Sequence, residues 1–281
     1  MTQAMAETAA TTAGPIPKPV RSRLLETIPF VRHGLTYRVP GLGKADGNIG
    51  LGTPRDKVDA WEMRKIWCAG IGVDPKRIVT MGQVHGNEVI RVHAGDAGKG
   101  ARDPGTHVGF ADALITNDPD VVLMTLHADC QPILLVDPVQ RAVGAVHAGW
   151  RGTVADVGGS AVAAMQEAFG SDPADILAYL GPAIGPAANE VGDEVIAAWL
   201  EQASDLGDAA YDPVLKPGPK HHFDVPTANR LLLQRAGLIP DHIEVSTICT
   251  KSNTDSWFSH RGHGPNAGRE GALIALVGDA S

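Results

Sequence analysis

Three segments set a metal-capable side chain beside glycine or at the edge of an apolar run: Gln83-Val84-His85-Gly86, Ala128-Asp129-Cys130-Gln131-Pro132 and Ala145-Val146-His147-Ala148-Gly149-Trp150-Arg151-Gly152. Two imidazoles and a thiolate are a zinc-type donor set. Three protein ligands also leave the fourth tetrahedral position free, the arrangement of catalytic rather than structural sites. An ion held in this way brings the pKa of a bound water to about 7, or polarises a leaving group at neutral pH. The three lie far apart in the chain, unlike the paired Cys-x-x-Cys of a zinc finger, so only the fold can bring them together. Singly, each also suits a structural role, because cysteine is commonly buried and histidine often just satisfies a hydrogen bond. Cys130 has one further option, as the nucleophile of a Cys-His hydrolase.

The elements that must position these residues follow from local pattern. Thr53-Pro54-Arg55-Asp56 has the form of a helix start, with a hydroxyl cap, proline in the first turn and an acid three residues on, and predicts a helix to about Gly70. Ile78 to Met81 and Glu88 to His93 read as short strands, with His85 in the turn between them. Val121 to Leu126, Ile133 to Asp137 and Ala142 to His147 are apolar, β-branched runs, apolar enough to be covered on both faces. Thr153 to Phe169 keeps helical spacing, with Gly170 as its stop. A strand near Ile176 to Leu180, helices near Asp193 to Gln202 and Pro226 to Ala236, and strands at Ile243 to Ile248 and Ala272 to Val277 complete the pattern. Asp224 reads as an N-cap ahead of Pro226, with His221 and His222 in a solvated loop before it, and Cys68 and Cys249 read as core. Strands separated sometimes by a few residues and sometimes by a helix predict an α+β fold, with mixed β-sheets flanked by helices.

With 281 residues, 43% of them hydrophobic, the chain is expected to form one domain over 21–281 behind a disordered N-terminal tail, 1–20. That tail lacks the basic start and apolar segment of a secretory signal. A formal charge of -8 leaves no basic surplus for general nucleic-acid binding. No apolar run approaches the roughly 20 residues of a membrane helix. Three widely spaced cysteines make no disulfide framework, so a cytoplasmic location is expected. No Gly-x-Gly-x-x-Gly or Walker-type loop is present, which disfavours dinucleotide cofactors.

The three segments, together with Ala111-Asp112-Ala113, Gly181-Pro182-Ala183-Ile184-Gly185-Pro186, Glu190-Val191-Gly192, Ile248-Cys249-Thr250, Phe258-Ser259-His260-Arg261 and Gly268-Arg269, resemble the YfiH/LACC1 family. The resemblance implies a CNF1/YfiH-like sandwich, related to cysteine hydrolases, with zinc on His85, Cys130 and His147. It also implies a purine nucleoside phosphorylase acting on purine nucleosides and inorganic phosphate, in a family whose members also deaminate adenosine and were formerly described as copper-dependent polyphenol oxidases or laccases. For phosphorolysis, Arg64, Arg151 and Arg261 are the candidate phosphate-binding cations, since guanidinium binds phosphate oxygens bidentately and stays charged. For deamination, Asp129 is the candidate proton carrier, with orientation of a ligand imidazole as its alternative role. Copper is the alternative metal, although no His-x-His pair is present. The chain departs from the family pattern at His127, where many relatives carry threonine and where a fourth imidazole would stand near the metal. It departs also at Met63-Arg64, at Arg261-Gly262 and in the added stretch Gly262 to Ala267.

Overall fold

The computed structural model describes residues 16–52 and 54–278. Its strands are β1 (Val31–Leu35), β2 (Ile78–Val79), β3 (Val89–Arg91), β4 (Ala113–Thr116), β5 (Val122–His127), β6 (Gln131–Asp137), β7 (Ala142–Ala148), β8 (Leu177–Leu180), β9 (Glu190–Val191), β10 (Val214–Leu215), β11 (His221–Phe223), β12 (Ile243–Val245) and β13 (Glu270–Leu276). The helices are α1 (Lys57–Ile71), α2 (Trp150–Val154), α3 (Val157–Phe169), α4 (Asp193–Gln202), α5 (Val225–Arg235) and α6 (His260–His263). The strands form a six-stranded sheet, β12-β8-β6-β7-β4-β3, a four-stranded sheet, β1-β13-β5-β2, and a small one, β10-β11-β9. Both larger sheets mix parallel and antiparallel pairs, as the uneven strand spacing predicts.

Alternation along β6 shows how the layers stack. Leu134 and Val136 pack with Leu123 of β5 and Ile274 of β13, so the two large sheets meet face to face. Ile133 and Leu135 point the other way and meet Val157, Ala161, Val162 and Met165 of α3. The outer face of the four-stranded sheet, through Met124 and Leu273, is covered by Met63, Trp67 and Ile71 of α1. The result is a helix–sheet–sheet–helix sandwich of the expected α+β class. β6, fully buried over Gln131–Asp137, has apolar layers on both faces, as its unbroken apolar run requires.

Several boundaries differ from the sequence expectation. Asp56 caps α1, its carboxylate accepting from Val58 N and Asp59 N, so the helix begins later than the Thr53-Pro54 signal suggested, and Thr53 lies outside the described residues. The single helix expected over Thr153 to Phe169 is two, because Asp156 takes a left-handed conformation and caps α3 through Gly159 N. His221 and His222 are in β11 rather than a solvated loop; their Nδ1 atoms bond Asp193 and the Pro186 carbonyl. Of the expected tail, residues 1–15 lie outside the described residues, while Val20 forms a bridge with Leu35 of β1. Among the described residues no helix is long and apolar enough to cross a membrane.

Candidate metal centre and its two clefts

His85 sits in the turn between β2 and β3 at φ +62°, a left-handed conformation that a side-chain-bearing residue seldom adopts. Asp112, one residue ahead of β4, holds it there. Its Oδ2 accepts from Val84 N at 3.1 Å and Gly86 N at 2.7 Å, the amides on either side of His85. Its Oδ1 lies 2.8 Å from His147 Nδ1, near the end of β7. One buried carboxylate therefore orients both imidazoles. With Nδ1–H donated to Asp112, His147 presents Nε2 as a ligand atom, the carboxylate–histidine arrangement that fixes tautomer and ring orientation in metal sites. Cys130 comes from the short connection between β5 and β6, with Sγ 3.9 Å from His85 Nε2.

The ligand atoms of His85, Cys130 and His147 all lie within 4.8 Å of one another, and among the described residues they form the one group of this kind. Zinc bonds of about 2.0 Å to nitrogen and 2.3 Å to sulfur, at a tetrahedral angle, span about 3.5 Å. The residues thus fit a single ion with only small side-chain adjustment. Gly149 leaves the necessary room, since a Cβ there would meet Cys130 Sγ at 2.8 Å and His85 Cδ2 at 3.0 Å. His127 is not a fourth ligand. Its Nδ1 faces the Cys130 carbonyl at 3.1 Å and its Nε2 faces Thr125 Oγ1 at 2.7 Å.

Burial pushes the Cys130 thiol up, but the His147 charge and hydrogen bonds from His147 and His85 outweigh it and bring the thiol down to about 6. Burial likewise pulls His147 down, yet Cys130 and Asp112 raise it to about 9. The metal-free centre is therefore a thiolate–imidazolium pair near neutral pH. After chelation, iodoacetamide is expected to label Cys130 at a rate that rises as pH passes about 6 and levels off near neutrality. Cys68, pushed up to about 12 by burial, should stay unlabelled, and added zinc should protect Cys130. Peptide mass mapping checks both.

The other sequence-derived candidates divide. Asp129 is beside the centre, but its Oδ1 takes the Thr250 hydroxyl at 2.6 Å and its Oδ2 takes Arg261 N at 2.8 Å, so it ties two loops together. Orientation of the ligand imidazoles falls to Asp112 instead. Arg261 lines the site, with Nη1 3.3 Å from the Glu190 carbonyl and Nη2 3.5 Å from Asn189 Oδ1. Arg151 is exposed on α2 and stacks over its neighbour Trp150, 4.3 Å from the ring centroid, outside the residues that line the clefts.

Arg64 is not at the site at all. It is 2% exposed, and its guanidinium donates to the carbonyls of Ile49, Gly100 and Ala101. Replacing it by alanine strands three acceptors at about 1–3 kcal/mol each, partly recovered by water, so a stability loss of about 3 kcal/mol is expected. Because that group touches no cleft, the phosphate KM of folded Arg64→Ala should match wild type; denaturant titration and steady-state kinetics test the pair of outcomes.

Two clefts meet at the centre. The first, of about 360 Å³, has apolar walls from Ala148, Trp150, Ile184 and Val225, with Asn189, His260 and Arg261 as polar groups. The second, of about 300 Å³, is lined by Gly50, Gly52, Arg55, Met81, Gln83, Leu126 and His147. His85, Ala128, Cys130 and Arg269 belong to both. Sequence reasoning passed over Asp112, Arg55 and Arg269 as site residues. Asp112 and Arg269 stood inside quoted motifs, and an acid between alanines ahead of an apolar strand was the available signal for the first.

Residues 32–277 match the family described as multi-copper polyphenol oxidoreductase laccase. The chain is 34% identical over 231 residues to the purine nucleoside phosphorylase YlmD of Bacillus subtilis (strain 168), covering 82% of this chain and 81% of the relative. It is 33% identical over 181 residues to the human purine nucleoside phosphorylase LACC1, covering 63% of this chain and 40% of that protein. The crystal structure of YlmD from Geobacillus stearothermophilus superposes with a TM-score of 0.84 at 34% identity, over 89% of this chain and 93% of that one. A match running through nearly every strand, with a shared fold, shows that the chain belongs to the YfiH/LACC1 family.

Proposed function

We propose that the protein is a zinc-dependent purine nucleoside phosphorylase, cleaving adenosine, inosine, guanosine or methylthioadenosine with inorganic phosphate. The observation that carries this reading is the convergence of His85, Cys130 and His147 where an apolar-walled cleft meets a second, cationic one. The names of the relatives supply the reaction. Two imidazoles, a thiolate and an open vertex suit zinc, and the one three-ligand group among the described residues has too few donors for a multicopper cluster. When bound, zinc supplies Lewis acidity toward the substrate at the junction of the clefts.

The chain's own residues set the rest. Trp150, Ile184 and Val225 offer apolar faces that suit a purine ring and exclude water from it. Asn189, anchored through Nδ2 to the Phe223 carbonyl, steadies the Arg261 guanidinium, whose remaining N–H groups are available to substrate acceptors. Phosphorolysis is taken as the principal reaction because it is the one that the relatives' names give; Asp129, the candidate proton carrier for deamination, holds the Thr250 hydroxyl and the Arg261 main chain. A reducing cytoplasmic compartment suits a cysteine that must serve as a thiolate ligand.

The test is to incubate zinc-loaded protein with each nucleoside, with and without phosphate. Free base and the matching sugar 1-phosphate, ribose 1-phosphate or, from methylthioadenosine, 5-methylthioribose 1-phosphate, are expected only when phosphate is present. Base release without phosphate would replace the reading by a hydrolase, and inosine from adenosine would make deamination the principal reaction. Full stability with no turnover of any nucleoside would leave the metal as a structural staple.

A further inference from the structure

We propose that the second cleft is the phosphate site, with Arg55 and Arg269 as its anion-binding pair, so that phosphate and nucleoside reach the metal centre through different clefts. The identity of the anion rests on the phosphorylase reading; the anion site itself rests on geometry.

Arg55 lies just ahead of α1 and Arg269 just ahead of β13, yet both guanidiniums gather on one main-chain oxygen. Arg55 donates to the Ala267 carbonyl through Nη2 and, at 3.1 Å, through Nε. Arg269 Nη1 donates to the same carbonyl and to that of Gly268, each at 2.8 Å. Among the described residues neither arginine has a carboxylate within ion-pair distance, and Arg269 Nε and Nη2 have no hydrogen-bond partner. No aspartate or glutamate lines the cleft. Gln83, the side-chain amide that lines it, is spent on Leu126, donating to its carbonyl and accepting from its N–H. Burial and then the charge of Arg269 hold Arg55 below its ordinary range. Gly50 permits the arrangement, since a Cβ there would meet Arg269 Cγ at 3.1 Å.

Glu270, Cys130 and Asp129 lend Arg269 some negative charge, but no carboxylate pairs with either guanidinium, so two half-buried like charges side by side suit a dianion, which each can engage bidentately. The first cleft is the poorer choice for phosphate, because its walls are apolar and Asp129 lines it. Two clefts that meet at one centre also match the chemistry. An oxygen of monohydrogen phosphate forms a bond to C1′ as the C1′–N9 bond breaks, and the bonding pair leaves with the purine. The proton carried in by the phosphate ends on the purine, so ribose 1-phosphate and neutral base balance the reaction. Displacement at C1′ needs nucleophile and leaving group on opposite faces, and the clefts meet at His85, Cys130 and Arg269.

The experiment measures phosphate binding directly, by calorimetry on zinc-loaded protein titrated with inorganic phosphate, alongside steady-state kinetics. Arg55→Ala and Arg269→Lys are expected to weaken phosphate binding and raise its KM at least ten-fold, and Arg55→Ala, at a residue that lines the second cleft and not the first, should leave the nucleoside KM within two-fold of wild type. Arg261→Ala should do the reverse. Thermal midpoint and zinc content identify any variant that misfolds, and the two arginine variants perturb different loops, so one folded variant suffices. Unchanged phosphate binding in a folded variant overturns the proposal, as does a phosphate defect confined to Arg261→Ala. A parallel titration with adenosine 5′-monophosphate separates the sources of phosphate: binding of the nucleotide alone overturns a site for free phosphate. If the wild type binds phosphate through this pair but phosphorolyses no nucleoside, the anion site stands and the enzymatic reading fails.

Discussion

Cys130→Ala is expected to lose its bound zinc and its phosphorolytic activity together. Removing the thiolate leaves two imidazoles and removes the one ligand that brings negative charge to the cation. If the metal supplies about 4 kcal/mol of transition-state stabilisation, turnover falls on the order of 10³-fold. The thiol is partly exposed in a loop between β5 and β6, so its loss opens no cavity in the sandwich core. Far-UV circular dichroism should therefore be retained, while zinc content measured by mass spectrometry falls well below one per chain. The same variant separates ligand from nucleophile. As a nucleophile, Cys130 would leave zinc content untouched on mutation, and wild-type activity would survive chelation. As a ligand, it makes activity disappear on chelation and return with zinc. Retention of a full equivalent of zinc by Cys130→Ala is the outcome that ends this assignment.

Legibility in the sequence followed the range over which each feature is determined. The central strands were readable because burial on both faces demands apolar residues without a polar break, and β6 (Gln131–Asp137) and β7 (Ala142–Ala148) carry such runs over 132–136 and 142–146. β1 was not, since Val31-Arg32-His33-Gly34-Leu35 has only two large apolar residues and is a strand through its antiparallel pairing with β13. The short strands β9 and β11 have the same origin, in pairing rather than in pattern. The break between α2 and α3 was hidden because apolar spacing continues across it, while the Asp156 turn depends on contacts from afar, including a 2.8 Å ion pair to Arg235.

At the site, residue type was enough to select His85, Cys130 and His147, whose donor atoms the fold then brings within 4.8 Å. It was not enough to sort the arginines. Arg64 and Arg269 are alike as sequence symbols, but one is sealed against three carbonyls in the core and the other opens onto both clefts. What separates them is where a guanidinium can reach, and that depends on the approach of Gly50, far off in the chain, and on the turn that offers Arg269 the Ala267 carbonyl two residues back.

Asp112→Asn is expected to weaken zinc binding by at least 10–100-fold, the usual range for loss of a carboxylate behind a ligand histidine, while changing global stability little. The reason is tautomeric. In the wild type, Oδ2 serves Val84 N and Gly86 N, and Oδ1 receives His147 Nδ1–H. Asparagine has a single acceptor oxygen, and the two main-chain donors claim it. Its amide N–H₂ then faces His147 Nδ1, which must turn from donor to acceptor. The imidazole proton moves to Nε2, the atom that should bind the cation. Asp112→Ala fails differently, leaving the buried His147 Nδ1–H and two partly buried main-chain donors without an acceptor, at about 1–3 kcal/mol for the buried one and less where water reaches the others. That variant should lose stability as well as metal, so the asparagine variant is the sharper measurement. Competition for zinc against a chromophoric chelator gives the affinity, and thermal denaturation of the stripped proteins shows whether the fold is intact. Wild-type zinc affinity in folded Asp112→Asn would show that the carboxylate does not select the His147 tautomer, and the centre would need another explanation for how its second imidazole is aimed.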